Sequence, residues 1–378
     1  MRIAILDNST EKWAASGSFT RMLVLSLRAV AGADVELGFL TKGNVPAGID
    51  LPRWAFVAAS HFPGEVTLRR VTSKPRKTEL AASIAAHRVD VVLPLMNLRE
   101  PVSGAATIGW IPDFQYRRCP QFFPEAERLH HESVVANLTA NATRILLSSK
   151  DALADLGATV PGAAQRASAI PFPSLFAFEP PTGTADPCAT YRLPKKFILV
   201  ANQFWAHKNH GILVQAAALL RERGCDATFV CTGLPLDHRS ASNAPLSELL
   251  QSIAKAGVGD TVRILGQVPF PDLVGLLRNA AVVVQPSRSE GWSTTVQDAL
   301  ALGRPVICSD LPVHREQAPN ALGFFGTDDP AELAKIIAEN WNYLAPSDEA
   351  TALATHREFA RSHGEQLLAL CRAAAKSR

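Results

Sequence analysis

Short apolar runs alternate with longer amphipathic stretches along the first half of the chain. Each run is rich in β-branched residues and too short for a buried helix, which predicts a buried strand. The predicted strands lie at residues 2–7, 35–40, 89–95, 106–111 and 145–149. A polar loop at residues 8–18 follows the first strand, and helices are predicted at 19–31 and 125–142. This alternation is typical of a doubly wound sheet.

The same alternation restarts after residues 179–194, which are rich in Pro, Gly and Thr and predict a linker. We therefore expect an α/β fold with two Rossmann-like doubly wound domains. The expected parts are a first domain at 1–178, the linker at 179–194, a second domain at 195–347, and a helix at 348–378 that returns towards the first domain.

Residues 286–300 stand out because a polar, glycine-containing loop separates an apolar strand from a helix. Thr294 and Gln297 have the spacing of a capping box, and Gly303 predicts the end of that helix. The N-terminus of a helix offers free backbone N–H groups and the positive end of the dipole, so it favours an anion. The amides of Ser293, Thr294 and Thr295 are the predicted phosphate donors.

Two acids flank this helix N-terminus, Glu290 before it and Asp298 within it. Carboxylates there would accept hydrogen bonds from hydroxyl groups, while the amides bind phosphate. A nucleotide sugar has both kinds of group. The simpler interpretation is that Glu290 is a loop charge and Asp298 complements the helix dipole.

The first domain offers fewer candidates. The loop after its first strand contains Gly17 but no Gly-x-Gly-x-x-Gly, which argues against a dehydrogenase. Asp113 directly follows the strand at 106–111, at the edge of a parallel sheet where ligands bind, although an Asp before an aromatic residue is also common in turns.

A basic stretch at residues 68–77 would suit an acidic acceptor or an anionic membrane surface, or would simply be a solvated loop. Its cations are Arg69, Arg70, Lys74, Arg76 and Lys77.

Composition narrows the class of protein. The 378 residues are 47% hydrophobic and 19% charged, as in soluble globular proteins, and a net charge of +3 is too small to indicate nucleic acid as a partner. Six scattered cysteines without a Cys-x-x-Cys pair favour reduced thiols in the cytoplasm and no zinc site. No apolar stretch has the length of a membrane span, and the first strand leaves no room for a signal peptide. We expect a cytoplasmic protein, or one peripheral on the inner face of the cell membrane.

Over most of the chain, and most strongly from residue 197 to residue 319, the sequence resembles the retaining glycosyltransferases of family 4, which have the two-Rossmann "B" fold. The resemblance is carried by the segments 202–210, 266–268, 286–291 and 303–310. Trp110-Ile111-Pro112-Asp113-Phe114-Gln115 looks like the bacterial surface-polysaccharide branch. The resemblance implies two domains facing across a cleft.

The family signature is a pair of glutamates separated by seven residues, which here are Glu290 and Asp298. By analogy Glu290 contacts the hydroxyls of the donor sugar, and Asp298 holds the ribose hydroxyls. Lys208 matches the family lysine that contacts the diphosphate. Asn202 stands where an Arg is usual, and a protonated His207 could replace part of that charge.

The resemblance also implies that Gly17, in the loop after the first strand, lets the backbone approach the phosphates of the donor. We predict Glu290, Lys208 and Asp113 as catalytic residues. The predicted donor-binding residues are Gly17, Asn202, His207, Lys208, Gly266, Val268, Glu290, Gly291, Trp292, Ser293, Thr294, Thr295 and Asp298.

The implied reaction moves a sugar from a nucleoside-diphosphate sugar to a hydroxyl acceptor with retention at the anomeric carbon. A GDP- or UDP-sugar is the expected donor, a glycan or polyprenyl-linked saccharide the expected acceptor, and neither a metal nor a further cofactor is expected. The alternatives are an epimerase or hydrolase of nucleotide sugars on the same fold, and a non-catalytic binding or scaffold protein.

Overall fold

The computed structural model describes residues 1–7, 14–41, 49–55, 77–182, 186–237, 239–240, 242–345 and 348–377. The strands are β1 (Arg2–Leu6), β2 (Glu36–Thr41), β3 (Arg53–Ala55), β4 (Val91–Leu95), β5 (Ala106–Ile111), β6 (Arg144–Leu147), β7 (Ala167–Ala169), β8 (Ile198–Ala201), β9 (Phe229–Thr232), β10 (Val262–Gly266), β11 (Val282–Gln285), β12 (Val306–Ser309) and β13 (Gly323–Phe325).

The helices are α1 (Ala14–Val30), α2 (Lys77–His87), α3 (Gln115–Arg118), α4 (Glu125–Asn141), α5 (Lys150–Thr159), α6 (Pro187–Thr190), α7 (Gly211–Glu222), α8 (Ala244–Ala256), α9 (Phe270–Asn279), α10 (Thr294–Ala301), α11 (Pro312–Gln317), α12 (Pro330–Asn340) and α13 (Glu349–Lys376).

Two sheets, both parallel, confirm the predicted fold class. One has the order β3-β2-β1-β4-β5-β6-β7, and the other has the order β10-β9-β8-β11-β12-β13. The second order is that of a Rossmann sheet: β9 and β10 are added on one side of β8, and the chain then crosses over to add β11, β12 and β13 on the other side. The loops after β8 and β11 therefore leave neighbouring strands and run to opposite sides, which opens a crevice at the carboxyl edge of that sheet.

The inner strands of the second sheet, β8, β9, β11 and β12, are buried on both faces because they are apolar except for a polar residue at the carboxyl end of β9, β11 and β12. Ile198 and Val200 of β8 belong to one core cluster, while Phe197 and Leu199 belong to the cluster on the other face. Such continuous apolar runs are typical of parallel strands covered by helices on both sides.

The boundaries of the two compact units differ from the predicted domains. The first unit comprises residues 1–112, 129–172 and 360–378, and the second comprises 113–128 and 173–359. Residues 113–128 belong to the second unit because their partners lie there. Glu127 pairs with Arg239 at 3.0 Å, and the same guanidinium lies 4.0 Å from the Phe123 ring centre. These partners are far apart in sequence, so the local pattern could not indicate them.

The end of α13 packs against α1 within the first unit. His363 Nδ1 lies 2.8 Å from Ser26 Oγ, and both side chains are buried. A Cβ at Gly364 would lie 2.3 Å from the Ser26 carbonyl oxygen, so only glycine permits this close approach.

Two local predictions need correction. Helix α1 begins at Ala14, so part of the predicted polar loop at 8–18 is helical. The predicted linker contains α6, which begins with a proline after the N-cap Asp186, whose carboxylate accepts from the Ala189 N–H at 3.2 Å. Small polar residues and proline suit a helix start as well as a linker, which is why composition alone was misleading.

Candidate functional site

Two loops meet at the crevice of the second sheet. The loop after β8 contains a 3-10 turn at Ala206–Lys208, and Asn209 ends it in the left-handed conformation with φ 58°. The Asn209 side-chain amide donates to the carbonyl oxygens of Pro286, at 3.1 Å, and Thr327, at 2.8 Å. This side chain therefore fixes the loop after β8 against the loop after β11.

A buried ion pair joins the two loops. Lys208 Nζ lies 2.5 Å from Glu290 Oε1, and the two side chains are only 15% and 6% exposed. The Gln285 side-chain amide donates to the same oxygen at 2.7 Å. The described residues donate no hydrogen bond to the other oxygen, Glu290 Oε2.

Gln285 holds the carboxylate in place, and sequence reasoning missed it. Its side chain is fully buried, and its amide nitrogen also lies 3.2 Å from Ser287 Oγ. Its oxygen accepts from the Asn202 side-chain amide at 2.9 Å. Asn202, predicted to bind the donor, is thus a positioning residue for Gln285. A polar residue closing an apolar strand at the sheet's switch point was the signal available in the sequence.

The two buried charges determine the ionisation of the site. Burial, the largest single effect, would raise the pKa of Glu290, but the charge and hydrogen bond of Lys208, with smaller contributions from His207 and His314, together lower that pKa to about 2. Glu290 is therefore a carboxylate at neutral pH.

The structure argues against the hypothesis that a protonated His207 replaces part of the positive charge that an Arg at position 202 would carry. Burial, and then the nearby Lys208, lower the pKa of His207 to about 3, so its imidazole is neutral at pH 7. Both ring nitrogens are buried, and neither has a hydrogen-bond partner in the described part of the chain.

The N-terminus of α10 differs from the prediction by one residue. Ser293 is the N-cap, since its hydroxyl accepts from the Val296 N–H at 3.3 Å. The predicted capping box at Thr294 was therefore wrong. The Ser293 N–H is already used, because it donates to the Gln317 side-chain oxygen at 3.1 Å. Of the three predicted phosphate donors, the N–H groups of Thr294 and Thr295 are left, as expected for the first turn of a helix.

Asp298 lies in the second turn of α10 in an environment unlike that of Glu290. Its Oδ1 accepts from Ser174 Oγ at 2.5 Å, and the same hydroxyl accepts from the Phe176 N–H at 3.0 Å. Burial without a cation raises the pKa of Asp298 to about 7, although the Ser174 hydrogen bond acts in the opposite direction. The predicted contact with ribose hydroxyls stays a prediction.

The other predicted donor-binding positions in this unit are Gly266, Val268, Gly291 and Trp292. Gly266 ends β10 with φ 69°, and a Cβ there would meet no atom within 4 Å. Val268 is partly buried against the core, which is a packing role. Gly291 and Trp292 are buried in the loop between β11 and α10, Trp292 being 9% exposed.

Two predicted residues are not brought together with the ion pair by any contact described here. Gly17 lies in α1 of the first unit and not in a loop. The loop conformation on which its predicted contact with phosphate depended is therefore absent at Gly17, and the contact itself stays a prediction. Asp113 accepts from the backbone and side-chain N–H groups of Gln115, at 2.9 and 3.2 Å. These are turn contacts, and a catalytic role for Asp113 stays a prediction.

The basic stretch was not tested by the structure. Arg69, Arg70, Lys74 and Arg76 lie outside the described residues, and Lys77 begins α2.

A groove of about 540 Å³ in the second unit is lined in part by Asn209, Lys255 and Arg288, while Lys208 and Glu290 do not line it. Arg288 pairs there with Asp328 at 2.6 Å.

Two further features are absent from the described ranges, a metal-binding cluster and a membrane-spanning helix. No group of three or more His, Cys, Asp or Glu side chains there is placed to hold a metal ion. No helix there is both long and apolar enough to cross a membrane.

Comparison with known sequences points to the same part of the chain. Residues 194–342 match the family described as glycosyl transferases group 1. A D-inositol 3-phosphate glycosyltransferase from Arthrobacter sp. (strain FB24) is 36% identical over 115 residues, 30% of this chain and 26% of the relative. The corresponding enzyme from Salinispora arenicola is 30% identical over 253 residues, 63% of this chain and 54% of the relative.

A lipopolysaccharide core biosynthesis mannosyltransferase from Rhizobium leguminosarum bv. viciae is 28% identical over 204 residues, 53% of this chain and 54% of the relative. The chain thus spans between about a quarter and about half of the length of these relatives.

Solved structures match over the whole chain at low identity. A glycosyltransferase from Rickettsia africae aligns with a TM-score of 0.67 at 14% identity, covering 100% of this chain and 99% of the other. Anabaena HepE, solved with UDP and glucose, aligns with a TM-score of 0.59 at 16% identity and the same coverage. Residues 194–342 are thus a glycosyl transferases group 1 domain, and the chain has the two-sheet fold of solved glycosyltransferases.

Proposed function

We propose that this protein transfers a sugar from a nucleoside-diphosphate sugar to a hydroxyl group of an acceptor, with retention at the anomeric carbon. The observation that carries the proposal is the buried Lys208–Glu290 pair at the switch point of the second sheet, beside the N-terminus of α10. A cation and free helix amides suit a diphosphate, and an ionised carboxylate with an open oxygen suits a sugar hydroxyl.

The chemistry requires stabilisation of two developing charges. As the glycosidic bond breaks, negative charge builds on the departing diphosphate and positive charge builds on the sugar. Lys208 and the N–H groups of Thr294 and Thr295 would stabilise the diphosphate, and removal of one such donor typically slows turnover about 100-fold to 1000-fold. Glu290 would orient the sugar through its hydroxyls and place negative charge near the forming cation.

The acceptor hydroxyl would attack from the face that the diphosphate leaves, and the leaving phosphate would take its proton. This route needs no dedicated base, so the proposal assigns no proton transfer to Asp113. It also needs no metal ion or organic cofactor, and activity should therefore persist in EDTA.

A UDP- or GDP-sugar is the proposed donor and a glycan or polyprenyl-linked saccharide the proposed acceptor. The relatives support both choices, since HepE was solved with UDP and another relative is named for lipopolysaccharide core biosynthesis. We also propose that the protein works in the cytoplasm, and that Arg69, Arg70, Lys74, Arg76 and Lys77 bring it to an anionic inner membrane surface.

The first experiment is a thermal-shift panel of UDP-, GDP-, ADP- and dTDP-sugars, followed by product analysis with the stabilising donor and lipid-linked saccharide acceptors. The anomeric proton coupling in the product, compared with that in the donor, reports retention.

Glu290→Gln and Lys208→Met should abolish most of the transfer. Lys335→Met and Glu339→Gln remove the same charges from an exposed pair of the same unit, whose side chains are 65% and 61% exposed, and should leave transfer unchanged. Sugar release or rearrangement without an acceptor would instead indicate a hydrolase or an epimerase. Donor binding with no turnover under any condition would indicate a binding protein.

A further inference from the structure

Arg239 is held rigidly in the loop after β9. Its Nε donates to Glu127 Oε1 at 3.0 Å, and its guanidinium lies 4.0 Å from the ring centre of Phe123 and 5.1 Å from that of Trp205. The side chain is only 12% exposed. Two aromatic rings and a carboxylate thus fix the plane of the guanidinium, so its remaining N–H groups point in defined directions.

One of these groups has no partner. Arg239 Nη1 is buried and makes no hydrogen bond to any described residue. An unsatisfied buried donor is unfavourable, more so when it is charged, and such donors are rare in folded proteins. A structural role for Arg239, as an anchor for residues 113–128, explains its Nε and its aromatic contacts but leaves Nη1 unexplained.

The surroundings of Arg239 point to the kind of group that Nη1 would meet. The loop after β9 is joined to the loop after β8, because the Asp237 carboxylate accepts from the N–H groups of Ala206, at 3.1 Å, and Arg239, at 3.0 Å. The Trp205 ring that the guanidinium faces lies 5.5 Å, between ring centres, from the His207 imidazole, and the charge of Arg239 adds to the effect of burial in lowering the His207 pKa. Both nitrogens of this neutral, buried imidazole are themselves without partners in the described part of the chain. His207 thus lies within the electrostatic reach of Lys208 and of Arg239, and it brings unused ring nitrogens to the same region.

We propose that Arg239 binds a phosphate of the nucleoside diphosphate through Nη1, together with Lys208. This inference rests on the proposed function, and it identifies a second cation for the same ligand. The resemblance to known glycosyltransferases would place such a cation at position 202. There Asn202 is committed to Gln285 instead, so the charge would come from a different loop.

The test compares ligands that differ only in phosphate. Calorimetry measures the affinity of wild type and Arg239→Met for uridine, UMP and UDP, with guanosine, GMP and GDP in parallel. A charged hydrogen bond of about 1.5–3 kcal/mol predicts a loss of about 10-fold to 100-fold for the diphosphate, with nucleoside affinity unchanged. Compared with Arg239→Met, Arg239→Lys should restore part of the affinity for the diphosphate, although it does not restore the stacking of a guanidinium on the Phe123 and Trp205 rings.

Arg221→Met is the matched control, because Arg221 is exposed on α7 and donates only to the carbonyls of Gly257 and Ala256 in the described structure. Glu127→Gln removes the anchor's charge but keeps Arg239. If Arg239 were only an anchor, Arg239→Met and Glu127→Gln would lower the affinities for the nucleoside and for the nucleoside diphosphate by the same factor, or would change neither affinity. Either result would overturn the inference. If wild type bound no nucleoside diphosphate at all, the proposed function would fail with it.

Discussion

The Lys208–Glu290 pair allows a quantitative prediction, because a buried pair should be strongly coupled. We consider Lys208→Met, Glu290→Gln and the double variant, all compared with wild type by urea unfolding at pH 7. Each substitution keeps roughly the shape of the side chain and removes its charge. Removing one partner leaves the other charge buried and uncompensated, which typically costs about 3–5 kcal/mol.

The sign of the coupling follows from the ionisation of Glu290. Burial, the largest single effect, would raise the pKa of Glu290, but the charge and hydrogen bond of Lys208, with smaller contributions from His207 and His314, lower that pKa from 4.5 to about 2. The carboxylate is therefore the favoured form in the folded state, and Lys208 is its main stabilising partner. We expect the double variant to be more stable than the sum of the single losses predicts, by on the order of the 3–5 kcal/mol that one uncompensated buried charge costs.

The pH dependence has a definite sign. A carboxyl group with a lowered pKa in the folded protein contributes stability above its unfolded pKa and loses it as the pH falls through the folded value. The coupling should therefore be complete at pH 7 and should decrease as the pH falls from 4.5 towards 2.

The exposed Lys335–Glu339 pair, 4.0 Å apart on α12, is the matched control, for which the same cycle should give about 0.3–0.5 kcal/mol. A coupling below about 0.5 kcal/mol for Lys208–Glu290 would refute the argument, since it would show that solvent screens the pair in the folded protein.

Three further predictions concern single residues. Asp298→Asn should remove a pH dependence of stability. In wild type the raised pKa of Asp298 contributes stability that is fully present below pH 3.8 and is lost as the pH rises through about 7. Relative to the variant, the free energy of unfolding of wild type should therefore fall by on the order of 2 kcal/mol between pH 5 and pH 8. Gly233→Ala should destabilise the fold by about 2–4 kcal/mol in urea unfolding, because the φ of Gly233 is 152° and a Cβ would lie 2.2 Å from the Asn202 carbonyl oxygen. Gln285→Leu should lower kcat on the order of tenfold, since Glu290 loses a donor that fixes it, and an unchanged kcat would contradict that positioning role.

How much of this could be read from the sequence depended on the distance between interacting residues. The strand, loop and helix around residue 290 are encoded locally, and so is the C-terminal end of that helix. Gly303 ends it with φ 69°, and the Arg304 N–H donates to the Ala299 carbonyl at 2.8 Å, as glycine chemistry predicts.

Partners that are remote in sequence were not predictable in this way. The hydroxyl on Asp298 comes from Ser174, 124 positions earlier, and Arg239 meets Glu127 across 112 positions. Nothing in a local pattern of apolar and polar residues specifies such a pairing, because the pairing is fixed by the order of strands in the sheet. The protonation of His207 was mispredicted for the same reason, since burial by remote segments lowers its pKa.

The two acids of the signature illustrate how one local motif acquires two chemical roles from its surroundings. Glu290 and Asp298 lie on the same loop and helix, yet a cation lowers the pKa of Glu290 to about 2, while burial without a cation raises that of Asp298 to about 7. Acids whose environments push their pKa values apart can perform different functions at one pH.

If Asp298 holds ribose hydroxyls, its ionised form accepts them more strongly than its neutral form. The affinity for a nucleoside-diphosphate sugar should therefore rise as the pH rises through about 7. Asp298→Asn should abolish this dependence, because the amide does not titrate. If the affinity of wild type for the donor did not change with pH around 7, Asp298 would not bind the ribose hydroxyls, and Glu290 alone of the two acids would recognise the sugar.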